Sequence, residues 1–222
     1  VYTTLDSKLQ SAGRQSLRDA LIDYDRRHGY RGAERNFVEV ADFALGLVTP
    51  TQDMSDNQVT IPSVTEQLAL MDIDLLDDIL NDFRVIGDLR PALVLEIKEQ
   101  GVTVLLRREN RNQPLSERVI SITWEGLSWA RPFINENRRG PRPRTASNIL
   151  ATGDLIRTYQ DKDGTWQLGQ LPNVKSAFVA LRPDDGAIVT LVGGFDFNLS
   201  KFNNVTQAER QLGSNIKPFI YS

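Results

Sequence analysis

A chain of 222 residues with 40% hydrophobic and 25% charged residues has a globular composition, with room for one large domain or two small ones. Its formal net charge of −3 gives no electrostatic reason to expect nucleic acid, and no run of about 18 apolar residues is present to span a membrane. With no cysteine and one histidine, His28, the chain contains no disulfide, thiolate nucleophile or Cys- or His-rich metal site, and no residue pattern calls for a cofactor.

Residues 1–6 read as a strand. Residues 7–28 read as an amphipathic helix with Leu9, Leu17, Ala20, Leu21 and Tyr24 on one face. Gly29 and Gly32 end it, and His28 is a residue of its last turn. Residues 31–62 carry only a short apolar stretch and a polar loop. Pro62-Ser63 with Glu66 is a capping-box start, and Leu68, Met71, Leu75, Leu76, Ile79, Leu80 and Phe83 continue as a helix to about residue 84.

From Pro91 the pattern changes to short strands: 92–98, 101–107 and 119–124, with 127–133 a weaker candidate. A short helical turn is expected over 145–150. Residues 154–160 and 166–171 form a hairpin around Asp163-Gly164. About five strands with one helical insert fit an OB-like barrel. Trp124, Trp129, Phe133 and Trp166 lie in or near these strands, and Arg138, Arg139, Arg142 and Arg144 form a basic run with Pro141 and Pro143. The bland reading is core tryptophans and a solvated Pro/Arg loop; the sharp one is a docking surface for a protein or for glycan strands. Two more strands, 177–182 and 187–192, flank the turn signal Pro183-Asp184-Asp185-Gly186.

Near the C-terminus stands Ser214 with Lys217 three residues on, a spacing that sets both side chains on one helix face. A serine hydroxyl needs a base to become a nucleophile, and a lysine of lowered pKa can serve. About 0.3 such tetrads are expected by chance in this composition, so context must carry the reading. Pro218 places a helix start close to Ser214, and Gly213 permits a sharp turn before it. The alternative is an ordinary serine N-cap beside a solvated lysine.

The longer string around that tetrad is more specific. Ala180-Leu181 with Pro183 leads into Gly186-Ala187-Ile188-Val189. Then come Gly193-Gly194-Phe195-Asp196-Phe197, the run from Phe202-Asn203 to Ala208, and Gly213-Ser214-Asn215-Ile216-Lys217-Pro218-Phe219. This string closely resembles the start of the transpeptidase domain of the class A, bifunctional penicillin-binding proteins, and most of all their Gram-negative members. Val1-Tyr2-Thr3-Thr4-Leu5-Asp6 resembles the strand that opens that domain. Ser55-Asp56-Asn57 and Lys162-Asp163-Gly164 are decoys for the family's later Ser-x-Asn and Lys-Thr-Gly motifs. The first precedes Ser214, and the second lacks the threonine.

The resemblance implies an α+β fold: a partial transpeptidase domain, of the penicillin-binding and β-lactamase-like type, interrupted by an all-β OB-like barrel with flanking helices. Residues 1–30 would hold the first strand and helix, 31–173 the insert, and 174–222 later strands and the start of the catalytic-serine helix. Ser214 is then the nucleophile and Lys217 its base; substrates are peptidoglycan stem peptides, and β-lactams acylate the same serine. An outer-membrane lipoprotein activator is the partner implied for the insert. The setting is the periplasmic side of the inner membrane, with anchor and glycosyltransferase domain outside this chain. Two site motifs are lacking, as is an initiator methionine. The chain is therefore expected to be a piece of a longer protein, inactive alone. The rival expectation is a non-catalytic OB-like docking or glycan-binding module.

Overall fold

The computed structural model describes residues 3–37, 73–209 and 213–221. They divide into two compact units, one of residues 22–171 and one of residues 1–21 with 172–222, the first boundary falling inside a helix.

That helix, α1 (Ser7–His28), has the predicted length. Asp6 caps it: its Oδ1 accepts the N–H groups of Lys8 and Leu9, each at 2.9 Å. Arg26, Arg27 and His28 complete the last turn, and Gly29, at φ 105°, stops it. The buried face is only in part the predicted one, keeping Leu17 and Leu21. It runs through Gly13, Leu17, Leu21 and Asp25, while Leu9, Ala20 and Tyr24 are exposed. Gly13 explains the difference. A Cβ there would stand 2.6 Å from Cγ2 of Thr190 and 2.9 Å from the Phe178 ring, so only glycine allows this approach. A glycine gives no apolar signal to a periodicity count.

In the unit of residues 22–171 an antiparallel sheet is built from β1 (Arg35–Asn36), β2 (Arg90–Lys98), β3 (Gly101–Leu106), β4 (Val119–Thr123), β7 (Asp154–Gln160) and β8 (Trp166–Gly169). Its order is β1-β7-β2-β3-β4, with β8 also on β7. β7 pairs with β2 along one edge (Leu155 opposite Leu93); its other edge is shared by β1 and β8. Both faces of this sheet are covered. Val94, Val102, Val104, Leu106, Ile122, Ile156 and Leu168 pack on one side with Tyr30, Leu127 and Leu150. Leu93, Leu95, Leu105 and Leu155 pack on the other against Leu76 and Leu80 of α2 (Ile73–Asn81). Double coverage is why residues 92–95 of β2 and 104–106 of β3 read as consecutive apolar positions and not as alternation. α2 stops at Asn81, short of the expected 84. The expected helical stretch before Ile73, the capping box at Pro62 and the decoy Ser55-Asp56-Asn57 lie outside the described residues.

Three local expectations are corrected here. Residues 127–133 are not a strand. Trp124–Leu127 is a short helix, α3, and Ser128 and Ala130 spend their N–H groups on the carbonyls of Trp124 and Leu127. The basic run is not all loop, because Arg138–Arg139 form β6, paired with β5 (Phe133–Asn135). The Asp163-Gly164 signal sits in a five-residue loop, not a two-residue turn. The Asp161 carboxylate accepts the N–H groups of Asp163 (3.0 Å) and Thr165 (2.8 Å), and Gly164 supplies φ 80°. The turn expected over 145–150 forms as a 3-10 helix, Ala146–Asn148, closed by a capping box of Thr145 and Asn148.

In the other unit β9 (Phe178–Leu181) and β10 (Ile188–Val192) make the predicted hairpin, turned by Gly186 at φ 70°. Residues 3–6 are not a strand. Thr4 Oγ1 donates to Ile188 O (2.6 Å) and Asp6 N to Val189 O (3.0 Å), after which the Asp6 cap diverts the chain into α1. Val1 and Tyr2 lie outside the described residues.

Candidate functional site

The C-terminal motifs fold onto one another. Gln10 of α1 clamps β10 twice: its side-chain amide donates to Leu191 O (2.8 Å) and accepts from Leu191 N (2.9 Å). Four residues on from Arg14, Arg18 reaches the Gly-Gly-Phe-Asp-Phe run, donating to Phe195 O (3.2 Å) and pairing with Asp196 at 2.9 Å. The run is tied to the next motif at Gly193, whose carbonyl accepts both the backbone N–H (2.9 Å) and the side-chain amide (2.7 Å) of Asn204. Asn203 in turn accepts from Val205 N (2.9 Å). Gln10, Arg18, Gly193, Asp196 and Asn203 line a groove of about 450 Å³ between α1 and the loop 193–203, with Arg14 and Lys201 at its walls. The Gly-Gly-Phe-Asp-Phe run and the run that follows from Phe202-Asn203 are therefore one hydrogen-bonded scaffold with α1 and β10.

Beyond this scaffold Gly213 turns at φ 53° into a 3-10 helix, Gly213–Ile216, and a short α-helix follows, Lys217–Tyr221. Ser214 stands in the first and Lys217 opens the second; both are exposed. Neither lines the groove. The described geometry thus puts the serine at a sharp turn entering a helix, where backbone N–H groups are unspent. Phe219, Ile220 and Tyr221 after it are also exposed.

No group of His, Cys, Asp or Glu among the described residues is arranged to hold a metal ion. Burial, aided by the charges of Asp154 and Glu34, pushes the Tyr30 phenol far up, and burial raises Tyr159 against the opposing charge of Arg26. Both phenols stay protonated, and Tyr159 accepts from Arg26 at 2.8 Å. The tryptophans follow the bland reading: Trp124, Trp129 and Trp166 are half-buried against the core. The decoy Lys162-Asp163-Gly164 is the β7–β8 loop. No helix among the described residues is long and apolar enough to cross a membrane.

A family model described as the penicillin-binding protein OB-like domain matches residues 30–174. The chain belongs to the penicillin-binding proteins that carry this OB-like domain. Within them it resembles penicillin-binding protein 1A. It is 41% identical to that protein of Vibrio cholerae and 39% to that of Pseudomonas aeruginosa, each match covering the whole chain and 23% and 22% of the relative. A 2.6 Å crystal structure of penicillin-binding protein 1A from Haemophilus influenzae matches the whole chain with a TM-score of 0.66 at 32% identity, over 26% of its own length. The chain spans less than a quarter of the length of these curated relatives.

Proposed function

We propose that this chain is the segment of a bifunctional peptidoglycan synthase that contributes the acylated serine of the D,D-transpeptidase. The reading is carried by the Ser214–Lys217 spacing at a Gly213 turn into a helix, in a chain of penicillin-binding protein type. Lys217 takes the proton of the Ser214 hydroxyl as its Oγ attacks the penultimate D-Ala carbonyl of a stem peptide. The Ser214 backbone N–H is one donor to the oxyanion. Terminal D-Ala leaves, and an amino group of a neighbouring stem takes the acyl group from the serine. β-Lactams enter the same step and stay. The setting is the periplasmic side of the inner membrane.

The test is covalent labelling. The full-length parent treated with a fluorescent penicillin is expected to carry one adduct per chain, and a folded parent that stays unlabelled contradicts the proposal. The isolated 222-residue piece is expected to acylate far more slowly, because residues that act as a unit lose nearly everything when some are missing.

Residues 31–173 are proposed to form an inserted module that tunes the enzyme and supplies no catalytic group, with an outer-membrane lipoprotein activator as its partner. Support comes from its ends. Arg31 donates to Leu171 O (2.6 Å), its N–H goes to the Gln170 side chain (3.0 Å), and Gln170 donates to Gly29 O (2.9 Å). The chain therefore leaves the module beside where it enters, as an insertion requires. Asp25, nearly buried, locks Arg31 there through two hydrogen bonds, of 2.9 and 2.6 Å. Replacing 31–173 with a short Gly/Ser linker is expected to leave penicillin labelling of the parent largely intact. Loss of labelling in a folded linker variant would mean that the module shapes the active site.

A further inference from the structure

The end of α1 and the β5–β6 hairpin enclose a cleft of about 370 Å³ lined by Tyr24, Arg27, His28, Glu136, Arg138 and Arg139, with Asn137 at the hairpin tip. We infer that this cleft is a docking site for an acidic protein segment that carries apolar side chains among its carboxylates. The inference rests on the reading of residues 31–173 as a docking module and is independent of Ser214.

Three observations converge on it. The first is charge. Arg27, Arg138 and Arg139 form no salt bridge among the described residues, and all three line this one cleft in a chain of net charge −3. Glu136 is the one carboxylate in the lining. Guanidinium groups left unspent at one place suit carboxylate recognition by parallel N–H donors.

The second is exposed apolar surface. In the unit of residues 22–171 the exposed large hydrophobic residues are Tyr24, Phe133 and Ile134 among those described. Tyr24 lines the cleft, and Phe133 and Ile134 are the β5 residues beside it. Elsewhere among the described residues of that unit such side chains are at least partly covered. Aromatic, aliphatic and arginine side chains together make a protein interface. A glycan strand prefers a free aromatic face. Tyr24 does not offer one, since His28 stacks on it at 4.1 Å and the Arg27 guanidinium lies 6.0 Å over its ring.

The third is rigidity. The hairpin is fastened to the residues after α1 by Tyr30 N to Arg131 O (2.7 Å) and Phe133 N to Tyr30 O (2.8 Å). Arg131 grips Gly140 O with two donors, at 2.9 and 2.7 Å. Gly29 at φ 105° is required there, because a Cβ would stand 2.7 Å from Arg131 O. His28 Nδ1 donates to Tyr24 O at 2.7 Å, which fixes the imidazole and leaves Nε2 for a ligand. The cleft is preformed, so binding costs little ordering of the protein.

The experiment is selection of random 16-residue peptides displayed on phage against the full-length parent, with eluted clones measured by titration. The expected result is enrichment of peptides rich in Asp and Glu that also carry aromatic or aliphatic residues. Their affinity is expected to fall at least about tenfold in the exposed-surface variant Arg138→Glu/Arg139→Glu and about fivefold in Phe133→Ser/Ile134→Ser, both with unchanged thermal unfolding. Enrichment of neutral or basic peptides overturns the inference, as does equal binding by the arginine variant. An anionic polysaccharide (hyaluronate) competing better than the peptides also overturns it, in favour of glycan binding. Acidic peptides lost on linker replacement of 31–173 but retained by both point variants would leave the docking module standing and remove this cleft.

Discussion

Changing Ser214 to Ala in the full-length parent is expected to abolish covalent penicillin labelling, and changing Lys217 to Ala to slow it by about 10²- to 10⁴-fold. The two losses differ because the two groups do different things. Without Ser214 no oxygen remains at the turn to form the ester. Without Lys217 the hydroxyl remains, but nothing nearby takes its proton, and positioned general bases contribute on that scale. Lys217→Arg is expected to behave like the alanine variant, since a guanidinium holds its proton at any working pH and cannot act as a base. Stopped-flow acylation with a chromogenic cephalosporin separates these cases. A Lys217→Ala variant that acylates at the parental rate would remove lysine from the base role while leaving the serine in place.

The second large effect concerns stability. Arg118 is 2% exposed and Asp77 nearly as buried; the two are joined by a short bidentate pair, with Arg118 also donating to Leu106 O at 3.1 Å. This pair bolts α2 to the sheet between β3 and β4. Arg118→Ala leaves the Asp77 carboxylate buried, with only Arg108 at 3.5 Å for company. The cost of leaving such a charge uncompensated is about 3–5 kcal/mol. Replacing both partners, as Asp77→Leu/Arg118→Met, is expected to come out near neutral, because the desolvation of two ions disappears with their attraction. Urea unfolding of the chain measures both. A single variant that loses under about 1 kcal/mol would show that water reaches the pair and screens it.

What the sequence makes legible follows from how local each signal is. The limits of α1 are readable because Asp6 and His28-Gly29 mark them within the helix itself. Its buried face is not, because that face includes Gly13, chosen for close approach, and Asp25, chosen for Arg31. β2 and β3 are readable because both faces are covered and their residues are nearly all apolar. The β5–β6 hairpin is not, since Arg138 and Arg139 carry little strand signal and are held in place by contacts from Tyr30 and Arg131. Asp77 and Arg118 stand 41 residues apart, and neither announces the other. At the C-terminus the spacing of Ser214 and Lys217 is legible, whereas the scaffold of Gln10, Arg18, Asp196 and Asn204 appears only in three dimensions.

Ser214 is expected to be the residue acylated. The most direct measurement is peptide mapping of the penicillin-treated full-length parent. Trypsin cuts after Arg210, and Pro218 shields the bond after Lys217, so Ser214 falls in the peptide that starts at Gln211 and runs on through Ser222. The adduct mass is expected on that peptide, with fragment ions placing it on Ser214. An adduct on any other peptide, or on Ser222 of the same one, would contradict it.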